Sequence, residues 1–90
     1  MHFEWDPGKA AENLRKHGVV FDEAATVFED VLALTGADPG HADSEDRFIT
    51  FAMSSERRLL VVSHVDRSDG IRIISARVAN RAERRLYEEG

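Results

Sequence analysis

Ile71-Arg72-Ile73-Ile74-Ser75-Ala76-Arg77 is the stretch whose reading decides the fold. Three isoleucines at strand-favouring positions seek burial on a pleated surface, which predicts a strand central to a sheet. In a regular strand Arg72 shares a face with Ile74 and Ala76, while Arg77 keeps the parity of Ile71, Ile73 and Ser75. The two guanidiniums are then expected on opposite faces. The plainest structural account is one solvated arginine and one strand-terminal arginine bonded to a carbonyl or carboxylate.

Upstream, Ser68-Asp69-Gly70 is a tight-turn signal, and Leu59–Val65 before it contains Leu59-Leu60-Val61-Val62, a run continuous enough for burial on both faces. Ser54-Ser55-Glu56-Arg57 is hairpin-like and joins that run to Arg47–Met53, which carries Phe48, Ile49 and Phe51. Two short turns joining three strands predict an antiparallel meander. Downstream, Asn80-Arg81-Ala82-Glu83 opens a helix with a capping-box arrangement. Ala79, Ala82 and Leu86 are expected inward, with Arg81, Arg84, Arg85 and Glu88 outward.

Further out, Asp6-Pro7 is a strong helix start, and Gly18 is the matching stop. Pro7, Ala10, Ala11 and Leu14 form the expected apolar stripe; Lys9, Asn13 and His17 form a polar row. Arg15-Lys16-His17 suit the negative end of the helix dipole. Phe21, Ala24, Ala25 and Phe28 predict a second short helix, and Val31–Thr35 a strand. His2–Trp5 reads as a short edge strand. The expected architecture is α+β: N-terminal helices and a C-terminal helix packed on an antiparallel β-sheet, with one sheet face open for a ligand. Residues 1–90 read as one domain.

The formal net charge of −5 conceals an asymmetry. Residues 1–56 hold four Lys/Arg against twelve Asp/Glu, and residues 57–90 hold eight Arg against five Asp/Glu, so −8 and +3 sum to −5. An acidic total disfavours non-specific duplex binding, yet an arginine surface built from the last third suits phosphate or carboxylate. Zero cysteines exclude disulfides and thiolate chemistry. With no apolar run near the ~20 residues of a membrane span and no signal-peptide pattern, the expectation is a cytoplasmic protein with no membrane contact.

No phosphate-binding glycine loop, nucleophile elbow or His-Glu-x-x-His motif is present, so no cofactor is expected. Asp38, His41, Asp43 and Glu45 lack the spacing of a calcium loop and read as a solvated acidic loop, so no metal is expected either. The remaining side chains suit metal-free RNA cleavage, which needs a base for the 2′-OH, a cation for the phosphorane and an acid for the leaving oxygen. His17, His64 and Glu45 are the candidate bases; Arg67, Arg72, Arg77 and Lys16 are the candidate cations. His64 shares parity with Leu60 and Val62, which equally suits a core-facing histidine.

Phe3-Glu4-Trp5-Asp6 with Lys9, Asn13 and Lys16-His17-Gly18-Val19 resembles the N-terminal signature of the BrnT toxin family. Glu45-Asp46-Arg47-Phe48, Arg58-Leu59-Leu60-Val61-Val62, Arg72-Ile73-Ile74-Ser75-Ala76-Arg77 and Glu83-Arg84-Arg85 with Tyr87 resemble its later blocks, in order. The resemblance implies a RelE-like ribonuclease fold and a type II toxin that cuts RNA and inhibits translation. It also implies a BrnA-like ribbon-helix-helix antitoxin, a heterotetramer with it, and DNA contacts made through that antitoxin. Arg67, in the turn after the buried strand, and Arg77, ending its block, can both reach the sheet's rim and are assigned to phosphate and the transition state, followed by Lys16, His17, Glu45 and Arg47. Arg72, Arg84 and Tyr87 are assigned to RNA binding. A module that only docks a DNA-binding partner, without catalysis, is the alternative.

Overall fold

The computed structural model describes residues 1–38 and 47–90. Five strands form one mixed sheet in the order β1-β5-β4-β3-β2: β1 His2–Glu4, β2 Leu34–Ala37, β3 Arg47–Met53, β4 Leu59–Arg67 and β5 Gly70–Val78. The expected meander is β3-β4-β5, antiparallel throughout. Leu59, Leu60, Val61 and Val62 of β4 are all buried, which accounts for the continuous apolar run at the sheet's centre. β5 is interior but lies one place off-centre, between β4 and a parallel β1. At its start Gly70 meets β1 so closely that a Cβ would lie 2.0 Å from the His2 carbonyl oxygen.

β5 is not regular. Ser63 pairs with Ser75 but His64 pairs with Ile73, so Ile74 is an extra residue without an opposite number. Such a bulge reverses the parity of everything beyond it. Ile71 and Ile73 are buried before it and Ala76 after it. The expectation that Arg72 and Arg77 leave on opposite faces is therefore corrected: the bulge turns both to the face away from the core.

The other face is covered by α1 (Pro7–His17), α2 (Phe21–Ala25) and a 3₁₀ turn (Thr26–Glu29). Phe21, Val27, Leu60, Val62 and Ile73 are at most 2 % exposed there, each worth roughly 1.5–3 kcal/mol of burial. Trp5 packs edge-on against Phe21 at 5.9 Å. α1 starts as expected, with Asp6 accepting from Lys9 N–H and Pro7 following, and ends at left-handed Gly18. Its inward residue, however, is Asn13 rather than Leu14, which is 48 % exposed. The Asn13 Nδ2 donates to the Ala76 and Val19 carbonyls at 2.8 and 3.0 Å, and its Oδ1 accepts from Ala76 N–H at 3.0 Å. β1 pairs no further along β5 than Arg72, and the amide takes the place of the missing strand at Ala76.

Glu23 is 8 % exposed and accepts from Ser54 Oγ and from Arg58, whose Nη2 also reaches the Gly18 carbonyl. This pair ties the β3–β4 hairpin to the junction of α1 and α2. α3 (Arg81–Glu89) begins with the expected capping box between Asn80 and Glu83. None of its residues is buried, so Ala82 and Leu86 are not the inward stripe that periodicity indicates. Polar contacts hold it instead: Glu83 meets Arg77, and Tyr87 donates to Asp30 at 2.6 Å. Val31 and Leu32, expected in a strand, form an exposed turn, and β2 begins only at Leu34. Asp30 fixes that turn by accepting Leu32 N–H on one oxygen and Met53 N–H on the other.

Candidate functional site

Strand register places four arginines on the uncovered face. Arg47 opposes Val65, and Val65 opposes Arg72, so these three form one row across β3, β4 and β5. Arg67 lies two residues beyond Val65 on the same face, and Glu4 continues the row from β1, opposite Arg72. The Glu4 Oε2 receives Arg67 Nε at 3.2 Å and Arg72 Nη1 at 3.3 Å. Phe3, one residue earlier, packs on Phe28 on the core side, which is why Glu4 points the other way.

Arg77 stands apart. Arg67 pairs with Gly70, so Arg77 is seven residues further along β5, about 20 Å away at ~3.3 Å per residue. It forms a bidentate pair with Glu83, both contacts at 2.7 Å. The guanidinium, followed by a smaller opposing effect of burial and by the Asn80 N–H, holds the Glu83 carboxyl below the usual carboxylate range. Glu83 in return raises Arg77. Beside this pair runs an apolar groove of about 430 Å³, with Leu34, Ile49, Phe51, Val61 and Leu86 among its lining residues. The face thus carries two sites of differing character: a cationic row with one carboxylate, and an apolar groove closed by an ion pair.

Lys16 and His17 are on neither. They lie at the end of α1, where with Lys9, Glu12, Asn13, Ile74 and Ser75 they line a depression at the edge of β5. Lys16 faces Glu12 at 3.6 Å. Arg84 is exposed on α3. The hydroxyl of Tyr87 is engaged by Asp30, which pushes it up to about 12. Burial pushes Asp30 upward, but the Tyr87, Met53 and Leu32 donors outweigh it and hold the carboxyl below its usual range. Glu45 lies outside the described residues, as do His41 and Asp43 of the acidic loop. Arg47 makes no ion pair among the described residues.

His64 faces the core, 1 % exposed, between Phe28 and Phe48. Its Nδ1 meets Asp66 at 2.8 Å and its Nε2 meets Thr50 at 2.8 Å, and Thr50 in turn meets Thr35 at 2.7 Å. A carboxylate accepts only, so Nδ1 carries the proton and Nε2 accepts from Thr50. Burial, opposed by Asp66, depresses its pKa. This corrects its candidacy as a base: the imidazole is on the wrong side of the sheet from the arginines and its ring nitrogens are both occupied.

Sequence reasoning did not single out Glu4 or the Glu83–Arg77 pair. The alternation Phe3-Glu4-Trp5 does carry the outward direction of Glu4. Its meeting with Arg67 and Arg72 depends on the parallel pairing of β1 with β5, which no local pattern encodes.

A family model described as the ribonuclease toxin, BrnT, of type II toxin-antitoxin systems matches residues 5–83. The 1.1 Å crystal structure of the Brucella abortus ribonuclease toxin BrnT is similar with a TM-score of 0.70 and 25 % identity, covering 90 % of this chain and 99 % of that one. No curated protein matches.

Proposed function

Because this chain belongs to the BrnT family of ribonuclease toxins of type II toxin-antitoxin systems, we propose that it is a metal-independent, RelE-like RNA endonuclease that inhibits translation in the cytoplasm. Its partner is a BrnA-like ribbon-helix-helix antitoxin, joined in a DNA-bound heterotetramer whose operator contacts belong to the antitoxin. The observation that carries the catalytic reading is the arginine row Arg47, Arg72 and Arg67 on the uncovered face. Planar guanidiniums on adjacent strands, ~4.8 Å apart per strand, suit the phosphates of a single strand laid across the sheet. Arg67 and Arg72 meet the scissile phosphate and its developing charge. Arg77, Arg84 and Tyr87 contact RNA further along, with Lys16 and His17 at the margin of β5.

The test is cleavage of total RNA by the purified chain in EDTA, with and without the antitoxin. Cleavage that persists in EDTA and stops when antitoxin is added supports the proposal. Arg67→Ala is expected to lower it at least tenfold in a folded protein. Cleavage abolished by EDTA, or absent even in a translation extract that supplies ribosomes, overturns the reading in favour of metal dependence or of a docking module without catalysis.

A further inference from the structure

A ribonuclease that works without a metal needs a group to take the 2′-OH proton. We propose that Glu4 is that general base; the inference rests on the ribonuclease reading above. Among the described residues Glu4 is the carboxylate placed within the arginine row. Glu83 is committed twice over, to Arg77 and to the helix cap. Asp38 is almost fully buried beside Ser63. Glu4 keeps 37 % of its side chain exposed.

The geometry divides the labour between its two oxygens. Both Arg67 and Arg72 bind Oε2. Among the described residues nothing bonds Oε1. One oxygen anchors the carboxylate to the sheet, and the other is left to accept a proton. The anchoring cations are also the ones that meet phosphate, so a nucleotide whose phosphate engages them brings its ribose beside the carboxylate. Gly70 contributes by omission. It opposes Arg67 on one side and His2 on the other, and its lack of a Cβ lets β1 approach β5 closely enough to hold Glu4 against both arginines.

The step balances without a further reactant. The 2′-OH proton passes to Glu4 Oε1 as the O2′–P bond forms. The P–O5′ bond breaks, and the departing 5′-oxygen takes a proton from solvent. The products are a 2′,3′-cyclic phosphate and a 5′-hydroxyl, and Glu4 returns its proton to solvent.

The experiment compares the full chain with Glu4→Gln in a bacterial translation extract, so that any need for ribosomes is met. Cut sites on a reporter mRNA are mapped by primer extension. Binding is measured separately, by titrating an RNA oligonucleotide with a 2′-O-methyl group at every position, which cannot be cut. A base predicts a cleavage rate down about 10²–10⁴-fold with binding retained. Circular dichroism checks that the variant is folded. A variant that cuts at the parental rate overturns the proposal. So does a variant that loses binding and cleavage in proportion, since Glu4 then only positions the arginines. An unsubstituted chain that cuts nothing overturns the ribonuclease reading itself, a result distinct from either.

Discussion

Asn13→Ala tests the reading of how the sheet is closed beyond β1. Asn13 supplies Ala76 with both an acceptor and a donor and gives Val19 a donor, all out of water. Truncation strands one N–H and two carbonyls. At ~1–3 kcal/mol for each stranded group, and with some relief from water entering the space, the loss is roughly 3–5 kcal/mol. For a domain whose whole stability is ~5–15 kcal/mol, that is a large fraction. A melting point lowered by about 12–40 °C corresponds, at ~4–8 °C per kcal/mol. Urea unfolding followed by circular dichroism is the assay. Leu14→Ala is the control: helical periodicity makes Leu14 the anchor, but it is half exposed and should cost less than about 1 kcal/mol. A larger loss for Leu14→Ala than for Asn13→Ala would refute the account of α1.

Tyr87 is the sole tyrosine, so its phenolate absorbance can be followed without overlap from others. It should titrate near 12 and fall towards 10 in Asp30→Asn, and because its folded pKa is raised, its stabilising effect is lost as pH climbs from about 10 to about 12. His64 acts in the opposite sense. Its folded pKa is lowered, so stability is full above about 6.5 and declines as pH falls below that, with the urea midpoint of His64→Gln showing less decline between pH 7.5 and 5.5. Glu83→Gln retains an N3 side chain able to cap α3 but frees Arg77, and should tighten RNA binding while steepening its salt dependence by ~0.7 in the log–log slope. Gly70→Ala forces a Cβ onto the His2 carbonyl and should dislodge β1, read as lost stability and, with Glu4 displaced, lost cleavage.

The meander, its two turns, the doubly buried run at Leu59–Val62 and the caps of α1 and α3 were legible because each follows from chemistry within a few residues. What escaped was non-local. The bulge at Ile74 has no glycine to mark it, so alternation put Arg77 on the wrong face. Asn13 was read as part of a polar row, because nothing near it in the chain reveals that the backbone at Ala76, 63 residues away, lacks a strand partner. Leu86 fitted an apolar stripe, yet α3 is held by Glu83 and Tyr87, one helical turn apart, through partners on β5 and before β2. Of the expected site residues, the fold gathers Arg47, Arg67 and Arg72 and sets Arg77, Lys16 and His17 elsewhere.

The unopposed residue in β5 also has a genetic consequence. Between Ile73 and Ala76 the strand is out of phase by one, so loss of a single codon there would restore regular alternation from Gly70 to the end. The flanking side chains would keep their sides, with Ile71, Ile73 and Ala76 on the core face and Arg72 and Arg77 on the open one. In-frame deletion of Ile74, whose side chain is only half-buried, should therefore preserve the register of the sheet and the faces of its neighbours. At this position the strand can lose a residue without changing which side chains meet the core.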